Sequence, residues 1–189
     1  MSDAFLQLFA PLFTPLPEED GALILSAFEP RTYKEGETLF KGGRVCREMF
    51  FIRNGVLRIV MVNDKGVDVT HFFLTENRIC TILNSFNNEV PAGESIQAAC
   101  DTEVLAISRE RLFELYGRLP YLQGLITRIT QQWLLDKIAT RNAYLGEDSA
   151  ARYRLFLERQ PDIALRVSLK DVASYLGITP QSLSRIRRG

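Results

Sequence analysis

The last 22 residues of the chain limit its possible folds more than any other segment. Ser168 stands three residues before Asp171, which is the spacing of a side-chain cap at the start of a helix. Gly177 ends the apolar run of that helix and supplies the backbone freedom for a tight turn. Thr179 and Pro180 then mark a second helix start, as cap and first helical residue. Two short helices joined by so tight a turn predict a helix-turn-helix.

The second helix of this motif has one apolar and one polar face. Leu183 and Ile186 form the face expected to be buried, and the opposite face is rich in Gln and Arg. These side chains pair with adenine and guanine edges in the major groove of DNA. The pattern therefore predicts contact with double-stranded DNA through five residues: Thr179, Gln181, Ser182, Arg185 and Arg188. The alternative is a hairpin that serves packing in a ligand-binding or protein-interaction regulator.

Charge is distributed unevenly along the chain. The 189 residues carry 23 Lys+Arg and 23 Asp+Glu, so the formal net charge is zero. Residues 150–189 nevertheless hold eight basic and three acidic residues, net +5, and residues 1–149 are net −5. This asymmetry indicates an acidic body joined to a basic module that meets an anion. The boundary falls near Gly146, where the balance changes sign.

The middle of the chain has the pattern of many short strands. After a helix that begins near Pro17, apolar segments alternate with turn residues, and Asn54–Gly55 predicts a hairpin. Regular spacing of short strands favours an antiparallel jelly-roll barrel over a parallel sheet. The predicted strands are Met49–Ile52, Val56–Val62, Val67–Phe73, Ser95–Ala99 and Thr102–Ile107. Ser108 is then expected to cap a helix that ends before Pro120.

Tyr121–Leu145 is the longest helical pattern, and about 25 residues make a helix of roughly 37 Å. A helix of this length can cover its own domain and still leave an apolar stripe for a second copy. The alternative is a helix that simply packs across the barrel. We expect homodimerisation along Ile126, Ile129, Trp133, Ile138 and Leu145.

Composition excludes several classes of protein. His71 is the only histidine, and Cys46, Cys80 and Cys100 are widely spaced, which argues against zinc, cupin-type and iron–sulfur centres. We therefore expect no metal, no cofactor, no catalytic residues and no enzymatic activity. Reduced thiols, the absence of a long apolar run and an N-terminus without a basic patch predict a cytoplasmic protein that does not enter a membrane.

Four segments of the chain resemble regulators of the Crp/Fnr type over nearly the whole length. These are Tyr33–Phe40, Phe50–Arg58, Glu103–Arg109 and Leu176–Arg187, of which the last is the most specific. The resemblance implies an α+β fold with a cyclic-nucleotide-binding-like jelly-roll barrel, a long dimerisation helix and a C-terminal helix-turn-helix domain. We expect these units to span residues 1–120, 121–145 and 146–189.

The sequence departs from the family's cyclic-nucleotide sensors in the stretches that hold the ligand. Cys80 and Thr81 stand where the family has Gly and the ribose-binding Glu, and Pro91–Ile96 lacks the phosphate-binding Arg. Cyclic AMP is therefore not the expected ligand. An unidentified small-molecule effector remains a candidate partner, in a pocket expected around Phe72, Ile82, Ser95 and Gln97. The family's DNA-binding wing is either missing or lies near Ile163–Val167.

Overall fold

The computed structural model describes residues 17–188. Its strands are β1 (Glu29–Tyr33), β2 (Thr38–Phe40), β3 (Glu48–Asn54), β4 (Leu57–Val62), β5 (Asp68–Leu74), β6 (Ile79–Cys80), β7 (Glu94–Ala98) and β8 (Thr102–Ser108). Its helices are α1 (Glu18–Ala27), α2 (Leu83–Asn88), α3 (Arg109–Arg118), α4 (Pro120–Asn142), α5 (Ser149–Arg159), α6 (Pro161–Arg166), α7 (Leu169–Leu176) and α8 (Pro180–Arg188).

The strands form two antiparallel four-stranded sheets that face each other. One sheet has the order β1-β8-β3-β6 and the other the order β2-β7-β4-β5. The side chains between them make a core in which Phe50 and Ile52 meet Leu57, Ile59 and others from the opposite sheet. This arrangement, followed by C-terminal helices, confirms the predicted fold class of an antiparallel jelly roll joined to an α-helical segment.

Strand β3 is buried on both faces because helices cover the outer side of its sheet. Met49 and Phe51 point away from the barrel interior and pack against α1, α3 and α4. Successive side chains of a strand alternate between faces, so burial of four consecutive apolar residues requires a layer on each side. The run Met49–Ile52 is therefore buried throughout.

The C-terminal helices pack beside the other sheet. Phe73 of β5 and Val56 belong to the same apolar cluster as Phe156, Val172 and Leu183 of the C-terminal segment. The most extensive part of this contact is between α7 and β5. The barrel and the helix-turn-helix thus share a continuous apolar contact, and any movement between them has to separate it.

The Asn54–Gly55 turn does not close a hairpin, which corrects the sequence-based expectation. The strands that flank it, β3 and β4, lie in different sheets. Gly55 has φ of 104°, and its N–H donates to Glu76 Oε1 at 2.8 Å. The turn carries the chain across the barrel from one sheet to the other. The neighbouring turn at Asn63–Gly66 does join a paired hairpin, β4–β5.

Three helical segments differ from the sequence-based expectation. The long helix ends at Asn142 rather than Leu145, because Tyr144 and Leu145 continue in tight turns: Tyr144 N–H donates to Arg141 O and Leu145 N–H to Asn142 O. The Ile163–Val167 segment, considered as a site for wing strands, lies mostly in helix α6 (Pro161–Arg166), which has Pro161 in its first turn. Helix α2 was not anticipated from the sequence.

Candidate nucleic-acid interface

The first helix of the C-terminal pair begins and ends as the sequence indicates. Ser168 Oγ accepts a hydrogen bond from the N–H of Asp171 at 3.1 Å and caps α7. At the other end Gly177 adopts a left-handed conformation with φ of 68°, and its N–H returns to the carbonyls of the last helical turn. The chain leaves α7 at a sharp angle and starts α8 three residues later.

The second helix is held by its cap and by one fully buried leucine. Thr179 Oγ1 accepts a hydrogen bond from Ser182 N–H at 3.1 Å, and Pro180 occupies the first helical position. Leu183 is buried completely between α8 and the rest of the cluster, and Ile186 is half-buried. The buried face is therefore the one that the sequence predicted.

The polar face of α8 carries positive charge that does not pair with any carboxylate of the described residues. Gln181, Arg185 and Arg188 are exposed on one side of the helix. Arg185 Nη2 donates to Ser182 Oγ at 3.4 Å, and Arg188 Nε donates to Ser184 O at 3.3 Å. No arginine of α8 forms a salt bridge to a carboxylate within residues 17–188. The structure thus brings the five predicted residues together at the start and outer face of one helix.

A buried ion pair fixes the helix-turn-helix to the barrel. Arg58 of β4 pairs with Asp171 of α7, and both side chains are almost fully buried. Arg58 Nη2 also donates to Gln97 Oε1 at 2.8 Å, and the N–H of Thr70 donates to Ser174 Oγ at 2.9 Å. The sequence pattern identifies Asp171 only as part of a helix-capping motif. Because its partner lies 113 residues earlier in the chain, no local pattern could have revealed the pair.

A second ion pair joins the same two units. Arg166 of α6 binds the carboxylate of Glu76 in a two-pronged contact, with Nη2 at 3.0 Å from Oε2. Burial alone would raise the pKa of Glu76, but hydrogen bonds from Arg166 and from the N–H of Gly55 lower it below the ordinary value. The carboxylate therefore stays ionised and links the barrel turn to the C-terminal helices.

The four residues of the expected barrel pocket are not brought together. Ile82 is buried in the core between the sheets, and Phe72 packs at the edge of that core below Lys137 Nζ. Gln97 lies on the outer face of β7, where it contacts Arg58, and Ser95 accepts a hydrogen bond from Gly42 N–H. Strand alternation puts Ser95 and Gln97 on the face opposite the fully buried Ile96, which is why they do not share a cavity with Ile82.

Cys80 and Thr81 serve the core of the barrel. Complete burial raises the pKa of the Cys80 thiol to about 12. Thr81 Oγ1 donates to the carbonyl of Glu48 at 2.9 Å, so its hydroxyl is used within the protein. Neither side chain offers the carboxylate that a ribose hydroxyl would need. Among the residues that the structure describes, no group of His, Cys, Asp and Glu is placed to hold a metal ion.

The apolar residues of the long helix and of the turn that follows it divide into two stripes. Ile126 and Ile129 are buried against their own barrel, and Trp133 is half-buried there with Arg78 over its ring at 5.1 Å. Ile138 and Leu145 are exposed, at 47% and 69%. The same exposed stripe includes Leu134 and Leu135, which the sequence-based set omitted. The spacing of apolar residues in the sequence predicts both stripes, but it does not show which of them faces the barrel.

Comparison with known proteins is consistent with this architecture. Residues 30–118 match the family model described as a cyclic nucleotide-binding domain. The chain is 32% identical to the transcriptional activator protein FnrA of Stutzerimonas stutzeri over 173 residues, 82% of this chain and 68% of that protein. It is 28% identical to the transcriptional activator protein Anr of Pseudomonas aeruginosa over 195 residues, 94% of this chain and 78% of that protein.

A solved structure shares the fold. The c-di-GMP-responsive global regulator CLP of Xanthomonas campestris matches with a TM-score of 0.71 and 16% identity, covering 90% of this chain and 89% of that chain. In the part of the chain from residue 17 to residue 188, no helix is long and apolar enough to cross a membrane.

Proposed function

The chain belongs to the Crp/Fnr family of transcriptional regulators, and on this premise we propose that it binds specific double-stranded DNA as a homodimer through helix α8. The observation that carries the proposal is the exposed face of α8, where Gln181, Arg185 and Arg188 have no carboxylate partner among residues 17–188. A face of this kind combines two side chains that recognise bases with free positive charge for phosphates.

Each of the five residues has a proposed role. Thr179 and Ser182 lie at the N-terminus of α8, where hydroxyl groups and free N–H groups face a phosphate. Gln181 and Arg185 are one turn apart and read base edges, with Arg185 on a guanine. Arg188 contacts the DNA backbone, assisted by Arg187 and Lys170, which are also exposed. In a twofold dimer the two α8 helices would enter major grooves about 34 Å apart, one turn of DNA.

We also propose the three functional units as residues 1–120, 121–145 and 146–189, with the first as a barrel that does not bind cyclic AMP. The side chains of Cys80 and Thr81 are committed to the core, and the Pro91–Ile96 segment has no arginine for a cyclic phosphate. Loss of a buried charge-assisted contact typically costs about 2–5 kcal/mol. Calorimetry is expected to detect no micromolar binding of cyclic AMP or cyclic GMP, and such binding would contradict this part of the proposal.

DNA binding is tested with two substitutions on α8 and one control on the barrel. After selection of a preferred DNA site, Arg185→Ala should weaken binding to that site by about 1–3 kcal/mol and relax the sequence preference at one base pair. Arg188→Ala should weaken binding to all sequences alike and reduce the slope of log K against log salt by about one. Arg118→Ala, an exposed arginine of α3, should leave both quantities unchanged.

Salt dependence also separates this function from the alternative of a packing hairpin. Phosphate contacts release counterions, so DNA retention should fall steeply as salt rises. A hairpin that only packs against protein would give no retained DNA at any salt concentration. Unchanged binding of a selected site by both α8 variants would contradict the proposal that α8 reads DNA.

A further inference from the structure

Lys137 is a lysine of α4 whose side chain turns toward the barrel. It is half-buried, and its Nζ lies over the ring of Phe72 at 5.2 Å from the ring centre. It lines a cleft of about 160 Å³ whose walls include β5 and α4, together with Arg78 and Trp133. A smaller cleft of about 30 Å³ beside β6 is also lined by Lys137. The amine can therefore be reached through a space with aromatic walls.

The charge of Lys137 has no counter-charge beside it. Lys137 forms no salt bridge to any carboxylate of residues 17–188. The adjacent Asp136 pairs with Arg78 instead, with Oδ2 at 3.6 Å from Nη1. Burial keeps the nearby thiol of Cys80 neutral, with a pKa of about 12, and it also raises the pKa of Tyr175 on the same cleft. A partly buried ammonium group without an anionic partner is unfavourable.

These surroundings activate the amine of Lys137 as a nucleophile. Burial lowers its pKa; the nearby Cys80 opposes this, and the positive charge of Arg78 adds to it. Desolvation and a neighbouring cation are the two known ways to activate a lysine. The exposed Lys34 shows the opposite case, because its contact with Asp101 raises its pKa. At neutral pH a larger fraction of Lys137 is therefore unprotonated than of a lysine in water.

We propose that Lys137 is a site of covalent acylation by small acyl phosphates, with Arg78 as the group that holds the phosphate. The unprotonated Nζ attacks the acyl carbonyl carbon, and the bond from that carbon to the bridging oxygen breaks. Phosphate leaves and takes the proton that the nitrogen loses, so amine and acyl phosphate give an amide and inorganic phosphate. Arginine suits this leaving group because its N–H donors match the phosphate oxygens. The neutral amide also removes a charge that the cleft does not compensate.

Acylation would act on the contact between the barrel and α4. Trp133 lies one turn before Lys137, lines both clefts and has the guanidinium of Arg78 over its ring at 5.1 Å. An acyl group on Lys137 would fill space next to this ring and remove the charge above Phe72. The position of α4 against β5 then depends on the state of Lys137. This inference goes beyond the proposed DNA binding and does not rest on it.

Acylation of the full chain, followed at each lysine, tests the site. The protein is incubated with acetyl phosphate at pH 7, and peptide mass spectrometry gives the modified fraction of each lysine with time. Accessibility alone would favour the four other lysines, which are exposed: Lys34, Lys41, Lys65 and Lys170. Lys137 should nevertheless react about fivefold or more faster than any of them, and its lead should shrink toward about pH 10, where exposed amines also lose their protons. Reaction at Lys137 no faster than at the exposed lysines overturns the proposal.

The role of Arg78 is tested with a matched pair of variants on the barrel. Arg78→Gln removes the phosphate contact and one cause of the lowered pKa of Lys137, so acylation there should slow about threefold or more. Arg53→Gln, at an exposed position of β3, should leave the rate unchanged. Thermal unfolding curves check that both variants are folded. Equal rates in wild type and Arg78→Gln would show that Arg78 does not hold the reagent.

The effect on α4 is read from Trp133, the only tryptophan of the chain. Lys137→Gln carries a neutral amide and should shift the fluorescence of Trp133 in the same direction as acylation does. Lys65→Gln, at an exposed position, should leave the emission as in the wild type. Emission that is unchanged by acylation of Lys137 would contradict the proposed effect on the contact between α4 and the barrel.

Discussion

The backbone at Gly55 requires a glycine, and a single substitution can test this requirement. Its φ is 104°, and a Cβ atom there would lie 2.4 Å from Thr102 Oγ1 and 2.6 Å from Asp101 O. Gly55→Ala should therefore lower the free energy of unfolding by about 2–4 kcal/mol, from backbone strain and steric overlap together. Gly117→Ala, in α3 with nothing near the added atom, should instead raise it by about 0.5–1 kcal/mol. Urea denaturation measures both, and equal effects would contradict the argument.

The three cysteines differ in reactivity for physical reasons visible at each site. Cys46 and Cys80 are completely buried, whereas Cys100 is partly exposed, and burial raises the pKa of Cys80 to about 12. Because the thiolate is the reactive form, Cys80 should resist alkylation at pH 8 until the protein unfolds. Iodoacetamide labelling followed by peptide mass spectrometry should find Cys100 modified first. Rapid native modification of Cys80 would show that the barrel opens more readily than its packing indicates.

At the scale of elements, the contact between β4 and α7 depends on the Arg58–Asp171 pair. The side chains are only 13% and 10% exposed, so removal of one partner leaves the other charge buried without compensation. Arg58→Met or Asp171→Leu alone should lower the free energy of unfolding by about 3–5 kcal/mol, and the double substitution should lower it by less than either. Lys34→Ala removes a fully exposed ion pair with Asp101 and should have no measurable effect. Additive costs in the double variant would show that the two residues do not act as a pair.

The same elements show what the sequence could and could not predict. Ser168, Gly177 and Thr179 act on neighbouring backbone groups, so the bounds of α7 and α8 follow from local patterns. Asn54–Gly55 marks a change of chain direction, but a turn signal does not state which strands pair, and the hairpin prediction was wrong. The Arg58–Asp171 contact depends on the packing of segments that are distant in the chain, which no local pattern contains.

At the scale of the whole molecule, the barrel lies between two different sets of helices. Helices α1, α3 and α4 cover one sheet, and the helix-turn-helix packs beside the other. The C-terminal contact combines an apolar cluster with the ion pairs of Arg58 and Arg166, so it is specific in orientation. The orientation of α8 relative to the barrel therefore depends on this contact.

The proposed dimer depends on the part of α4 that its own barrel does not cover. Leu135 is 59% exposed and Ile138 is 47% exposed, whereas Ile126 and Ile129 are already buried within the chain. In a twofold arrangement each substitution acts twice. Loss of the buried area of two leucines should therefore make Leu135→Glu weaken dimerisation by about 2–3 kcal/mol, roughly a hundredfold in the dissociation constant. Leu165→Glu, at an 86% exposed position of α6, is the matched control and should leave the dimer intact.

Sedimentation velocity at micromolar concentration measures this difference directly. Wild type and Leu165→Glu are expected to sediment as dimers, and Leu135→Glu as a monomer with an unchanged circular dichroism spectrum. Ile129→Glu should instead unfold the protein, because it places a charge in the cluster that joins α4 to β3. A monomeric wild type, or a dimer that tolerates a combined Leu135→Glu and Ile138→Glu substitution, would exclude α4 as the interface and leave the two α8 helices without a fixed spacing on DNA.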